Sequence, residues 1–188
     1  MSADVLKGGF ADPPRDAAHM FRKILDVMAR PGKISEIGGV AAPEPLSKAT
    51  AAVLLTMCDA DTGIFLGERL DAPAIREWIA FHTGAPIVSA AECDFAFGSW
   101  DDLGSLDQFR IGTAEYPDRS ATLVVELPEL EAQGARLSGP GIKDHGFLSL
   151  PDVAAFQRNN ALFPLGRDFI FTSGDRIAAC PRSTKVDA

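Results

Sequence analysis

The 188 residues carry 18 Lys and Arg against 26 Asp and Glu, a formal charge of −8, with 46% hydrophobic and 23% charged side chains. That balance suits one folded globular domain and excludes an ordinary nucleic-acid binder, which needs clustered basic residues to displace phosphate counterions. Cys58, Cys93 and Cys180 are odd in number and lack C-x-x-C spacing, as expected of buried thiols in a reducing compartment.

The first twelve residues read as a loose lead-in without the apolar stretch of a signal peptide, and no run approaches the ~18 apolar residues of a membrane helix. A cytoplasmic location is expected. Asp12-Pro13-Pro14 predicts a helix start, with Asp12 accepting free N–H groups. Ala17, Met20, Phe21, Ile24, Leu25 and Met28 then give one apolar face, closed by Pro31-Gly32. Residues 33–37 predict a short strand, and residues 47–58 an apolar helix ending in Asp59-Ala60-Asp61-Thr62-Gly63. Ile64–Leu66 predicts a strand, and a helix follows from Pro73 with Ile75, Trp78, Ile79 and His82 on one face.

Strands are expected at 86–89 and 95–98, with one or two helical turns in 99–111 and a loop over 112–119. Residues 121–127 form the strongest strand pattern in the chain. A further strand at 135–137 leads into a turn at Gly139-Pro140-Gly141, and a helix is expected over 152–162. Residues 168–172 and 176–180, around Ser173-Gly174-Asp175, predict a closing hairpin, followed by a solvated tail. The fold class is α/β, a mixed sheet with helices packed on it. Residues 13–188 are expected to form a single domain.

No complete catalytic motif is present. Asp59 and Asp61 suit either Mg²⁺ or an Asx-type turn, and the turn is the favoured reading. His19, His82 and His145 lack metal-ligand spacing. His82, at a helix C-terminus, is placed where the helix dipole favours an imidazolium that meets an anion, or where it serves as a capping or core residue. Gly139-Pro140-Gly141 fails as a phosphate loop, since Pro has no N–H and no helix follows. Lys143 lacks the partners that a pyridoxal phosphate lysine needs. Arg182 with Ser183 and Thr184 suits a phosphate or carboxylate clamp, and Arg22 on the first helix is similarly open.

Taken in order, short motifs add a second kind of signal. They are Phe21-Arg22 with Met28-Ala29-Arg30-Pro31-Gly32, Ala49-Thr50 with Val53-Leu54-Leu55-Thr56, Asp59 with Asp61-Thr62, and Phe81-His82-Thr83 with Ala85-Pro86. Gly112-Thr113-Ala114-Glu115 with Pro117, Ala121-Thr122-Leu123, and Leu137 with Gly139-Pro140-Gly141-Ile142 follow. Phe163-Pro164-Leu165-Gly166 with Asp168, and Pro181-Arg182-Ser183-Thr184, complete the set. In this order and spacing the chain resembles the PhnH subunit family of the bacterial carbon–phosphorus lyase, from about residue 13 to 186.

The resemblance implies a three-layer mixed sheet with flanking helices, similar to the large domain of pyridoxal-phosphate-dependent transferases but without that cofactor. It implies an accessory role beside PhnG, PhnI and PhnJ in a complex that makes ribose 1-methylphosphonate 5-triphosphate from ATP and methylphosphonate. A homodimer is implied for the isolated subunit; no nucleic acid, membrane, metal or cofactor is expected. Arg22, His82, Thr83 and Arg182 are carried over as cleft or interface candidates, with no catalytic residue assigned. Arg167 departs from the apolar residue expected there, and is read as redirecting the following strand or lying on a partner surface. The alternative is a self-contained enzyme or binding module for a nucleotide or phosphonate.

Overall fold

The computed structural model describes residues 7–188. In chain order the first half contains β1 (Gly9–Phe10), α1 (Pro13–Ala29), β2 (Ser35–Glu36), β3 (Val40–Ala41), α2 (Lys48–Met57), β4 (Ile64–Leu66) and α3 (Pro73–His82). The second half contains β5 (Phe95–Ser99), α4 (Trp100–Leu103), a 3-10 turn at Leu106–Gln108, β6 (Thr122–Glu126), β7 (Ala135–Ser138) and β8 (Gly146–Leu148). It ends with α5 (Val153–Asn160), β9 (Asp168–Ser173), β10 (Arg176–Cys180) and β11 (Lys185–Asp187).

Six strands form the main sheet in the order β2-β10-β9-β6-β5-β4. The four from β9 to β4 are mutually parallel, whereas β10 is antiparallel to both β9 and β2. Parallel strands covered on both sides lose the polar half of the usual alternation, and β6 reads Leu-Val-Val for that reason. Val124, Phe97 and Ile170 face a cluster made with α1, α2 and α3, including Ile24, Leu54, Ile75 and Trp78. Leu123, Val125, Phe169 and Phe171 face the other way, onto Phe156 of α5 and Leu137 and Leu148 of a small antiparallel sheet, β11-β7-β8. Each such fully buried aliphatic or aromatic side chain contributes roughly 1.5–3 kcal/mol relative to exposure.

The mixed sheet, its helices and the β9–β10 hairpin match the sequence expectation. Other details differ. At Gly9–Phe10 the expected lead-in is a strand paired with β3, while its residues 1–6 lie outside the described residues. Asp12 makes no side-chain cap; instead its own N–H donates to Asp16 Oδ2 at 2.9 Å. The apolar face of α1 is narrower than its sequence suggests, because Met20, Ile24 and Val27 are buried while Phe21 and Leu25 are 44% and 52% exposed. The chain does not end at the hairpin: β11 follows, pairing Val186 with Leu137 and burying both.

Of the two readings of Arg167, the one that puts it on a surface does not hold. It is 5% exposed just before β9, and Nε and Nη2 both donate to the Phe109 carbonyl, at 3.1 and 2.7 Å. Asn159 of α5 holds its backbone from both sides, accepting from Arg167 N–H at 2.9 Å and donating to its carbonyl at 2.8 Å.

Candidate functional site

In a parallel sheet the carboxyl ends of the strands, with helix N-termini beside them, form the usual ligand crevice. Here β5 and β6 end level at Ser99 and Glu126, with Thr172 of β9 in register beside Glu126. The N-terminus of α2 docks against the same edge, where Ala49 N–H donates to the Gly174 carbonyl at 2.9 Å. Between these ends lies an open cleft of about 970 Å³, walled by Glu44, Arg69, Trp100, Asp101 and Glu126 and floored by Ser47.

A hydrogen-bond network fixes the floor. Ser47 caps α2 by accepting from Thr50 N–H at 3.2 Å, and its hydroxyl donates to Thr50 Oγ1 at 2.9 Å. Thr50, fully buried, donates to Glu126 Oε2 at 2.9 Å and lies 2.8 Å from the Thr172 hydroxyl. A capping serine, two threonines and a carboxylate from three segments are thereby joined in one network, whose hydrogen bonds offset the desolvation of its buried hydroxyls. Ser99 and Asp102 form a reciprocal cap that fixes the start of α4 and so places Trp100, which also lines the cleft. The charges around the cleft are Glu44, Asp101 and Glu126 against Arg69, whose Nε is 4.0 Å from Asp102. Such a surface favours a cationic or hydrogen-bond-donating group over a bare polyphosphate.

The candidates named from sequence lie elsewhere. Arg22 is exposed on α1. His82 and Thr83 close α3, which returns the chain to the amino ends of the parallel strands. There the His82 ring packs on Trp78 with centroids 4.7 Å apart, and Thr83 Oγ1 donates to the Ile79 carbonyl and accepts from Ala85 N–H. Arg182 lies beside the start of β9, where Nε and Nη2 meet the two oxygens of Asp168 at 3.1 and 2.6 Å. Its Nη1 donates to the Pro117 carbonyl at 2.6 Å, and Nη2 also reaches the Ser120 hydroxyl. His82 and Thr83 thus belong to the β4 side of the sheet and Arg182 to the β9 side, and the structure does not gather these four into one site.

Asp59 forms the Asx-type turn, with Oδ1 accepting from Asp61 N–H at 3.0 Å and from the Thr62 hydroxyl at 2.8 Å. Those bonds hold its carboxyl below the usual range. Among the described residues no group of three or more His, Cys, Asp or Glu is placed to hold a metal ion. Lys143 is exposed in the loop after Gly141. Gly141 itself is needed for packing: with φ at +80°, a Cβ there would stand 1.9 Å from the Ala29 carbonyl oxygen. All three cysteines are buried free thiols, whose pKa burial pushes up to about 12 at Cys58, about 11 at Cys93 and about 12 at Cys180.

Sequence reasoning missed Ser47, Thr50, Glu126 and Thr172 as a unit. One signal was available: Glu126 places a carboxylate at the end of the most apolar strand, where burial of a charge requires a partner.

Comparison with known proteins gives a consistent result. Residues 8–187 match the family described as bacterial phosphonate metabolism protein (PhnH). The chain is 41% identical over 194 residues to the alpha-D-ribose 1-methylphosphonate 5-triphosphate synthase subunit PhnH of Rhizobium meliloti (strain 1021), covering 98% of this chain and 97% of that one. It is 29% identical over 173 residues to HtxG of Stutzerimonas stutzeri, named as an inferred C-P lyase subunit, covering 89% and 84%. With a family match across nearly its whole length, this chain belongs to the PhnH family of bacterial phosphonate metabolism proteins.

Proposed function

We propose that this chain is an accessory subunit of the carbon–phosphorus lyase core assembly, supporting formation of ribose 1-methylphosphonate 5-triphosphate from ATP and methylphosphonate. The near-complete alignment with the Rhizobium subunit carries this reading. In it the chain works beside PhnG, PhnI and PhnJ, is a homodimer when isolated, and holds a single α/β domain akin to the large domain of pyridoxal-phosphate-dependent transferases. Pyridoxal phosphate has no part in it. The parallel strands and their crevice are compatible with such a domain. Among the described residues no helix is long and apolar enough to cross a membrane.

Two features support an accessory rather than an autonomous role. Two of the four candidates, Thr83 and Arg182, spend their side chains on internal hydrogen bonds. The cleft at the strand ends is acidic, which suits neither a triphosphate nor a phosphonate directly. The test is reconstitution with purified components. The chain alone should not release adenine from ATP and methylphosphonate, whereas omitting it from the assembled subunits should lower or abolish that release. Turnover by the chain alone would replace this reading with that of a self-contained enzyme.

A further inference from the structure

Trp100 lines both the acidic cleft and a second, smaller pocket of about 370 Å³. Trp100, Ser105, Asp107, Asp152, Arg158 and Arg167 line it. Its unusual member is Arg167. A guanidinium buried to this degree is ordinarily paired with a carboxylate, because desolvating an uncompensated charge is expensive. Arg167 has no carboxylate within salt-bridge distance among the described residues, and the Phe109 carbonyl accepts both of the hydrogen bonds that its side chain makes. Two of five N–H groups are thereby used. Burial also holds its pKa below the ordinary value, with Asp107 as the opposing influence.

The position of this cation is built, not incidental. Asn159, itself 4% exposed, spends its side-chain amide on clamping the Arg167 backbone. The Phe109 carbonyl then fixes one edge of the guanidinium, and among the described residues no acceptor meets the edge bearing Nη1. Two further donors line the same pocket. Arg158 is on α5, with a largely exposed side chain 4.0 Å from Asp152. The Ser105 oxygen accepts from Asp107 N–H at 3.3 Å, leaving its hydroxyl proton to donate.

We propose that this pocket binds a small tetrahedral oxyanion, a phosphonate or phosphate group, with Arg167 as its principal ligand. Donors from three separate segments suit a group with three oxygens better than a planar carboxylate, which one guanidinium edge already satisfies. The acidic neighbours limit the site. Asp152 is occupied in capping α5 through Ala155 N–H at 3.0 Å, whereas Asp107, exposed at the rim, opposes an added negative charge. The inference does not rest on the subunit reading: an oxyanion site is compatible with either an accessory or an autonomous protein.

The test is isothermal titration of the full chain at low ionic strength with sodium methylphosphonate, inorganic phosphate and acetate, each followed in parallel by tryptophan fluorescence, since Trp100 lines the pocket. Methylphosphonate and phosphate should bind saturably at one site in the millimolar range or tighter, with acetate about ten-fold weaker. Whichever of the two tetrahedral ions binds more tightly identifies the source, and either order supports the site. Arg167→Met should weaken binding by at least about ten-fold, and Asp107→Asn should tighten it by about three-fold. Should Arg167→Met fail to fold, Arg158→Ala on the exposed rim carries the decision, with an expected loss of about three- to five-fold. Absence of saturable binding by wild-type protein, or unchanged affinity in folded Arg167→Met or in Arg158→Ala, would overturn the proposal.

Discussion

Replacing Arg182 by alanine separates a structural arginine from a ligand-binding one. Its guanidinium connects three places: the start of β9 through Asp168, the 112–119 loop through the Pro117 carbonyl, and the start of β6 through Ser120. Side-chain exposure is 12% for Arg182 and 20% for Asp168, so the pair is mostly shielded. Removing one member of a fully buried pair costs roughly 3–5 kcal/mol, chiefly because the other charge is stranded. Here Asp168 Oδ1 keeps the Arg182 backbone N–H at 2.9 Å, which alanine preserves, and both side chains are partly exposed, so the loss should fall at or below that range, about 2–3 kcal/mol. For a chain of this length that is a Tm lowered by about 5–10 °C. Arg182→Lys should recover only part of it, because one ammonium cannot fork across both Asp168 oxygens and also reach Pro117 and Ser120. Differential scanning calorimetry of the three proteins, with Asp168→Asn and the Arg182→Ala/Asp168→Asn double variant completing a double-mutant cycle, measures the coupling. A Tm within about 1 °C of wild type for Arg182→Ala would refute the reasoning.

Gly141→Ala should destabilise by more than about 2 kcal/mol in urea unfolding, since a Cβ would collide with the Ala29 carbonyl at a left-handed backbone position. Thr50→Val removes the hydroxyl shared by Ser47, Glu126 and Thr172; a loss of about 1–3 kcal/mol is expected by the same method, and an unchanged midpoint would mean that water replaces the network. Native protein at mildly alkaline pH should react slowly with a thiol reagent and release three thiols on denaturation; rapid native reaction would contradict the burial of Cys58, Cys93 and Cys180. The same thiols give a pH dependence of definite sign. Their folded pKa values are raised from 9.0 to about 11 or 12, so their contribution is complete below about pH 9 and is lost as pH rises through 11 to 12. Urea midpoints that rise over that interval would contradict it.

The sheet was legible where local signals and burial agree. Ser47 and the apolar run after it place α2 almost to the residue, and the continuous Leu-Val-Val of β6 marks a strand covered on both faces. The three-residue strand Ile64–Leu66 was legible, but the strands of the small sheet were less so. Lys185–Asp187 has one apolar residue, Val186, whose burial depends on Leu137 across the small sheet, a pairing that no local pattern encodes. The same holds for β8, three residues beginning at a glycine. Phe21 and Leu25 repeat at helical spacing yet stay exposed, because periodicity identifies an apolar face without saying how much of it is covered.

The candidate site was less legible still, for a related reason. Thr50 meets Glu126 and Thr172 across 76 and 122 residues of sequence, so the network exists only once the sheet is assembled. Arg167 stood out as a departure from an apolar position, but its chemistry depended on whether it was exposed or buried, and that is decided by Phe109 and Asn159. The family, in contrast, was readable from ordered short motifs, because many weak matches in sequence order do not require knowledge of which residues touch.

The central claim is membership of a working phosphonate-degrading assembly. It is tested most directly by affinity purification of the tagged full chain from cells grown on methylphosphonate as sole phosphorus source, with the eluate sized and its proteins identified by mass spectrometry. A subunit of that assembly should bring PhnG, PhnI and PhnJ with it in stoichiometric amounts, in one high-mass species. Recovery of the chain alone, with those subunits abundant in the unbound fraction, would contradict it.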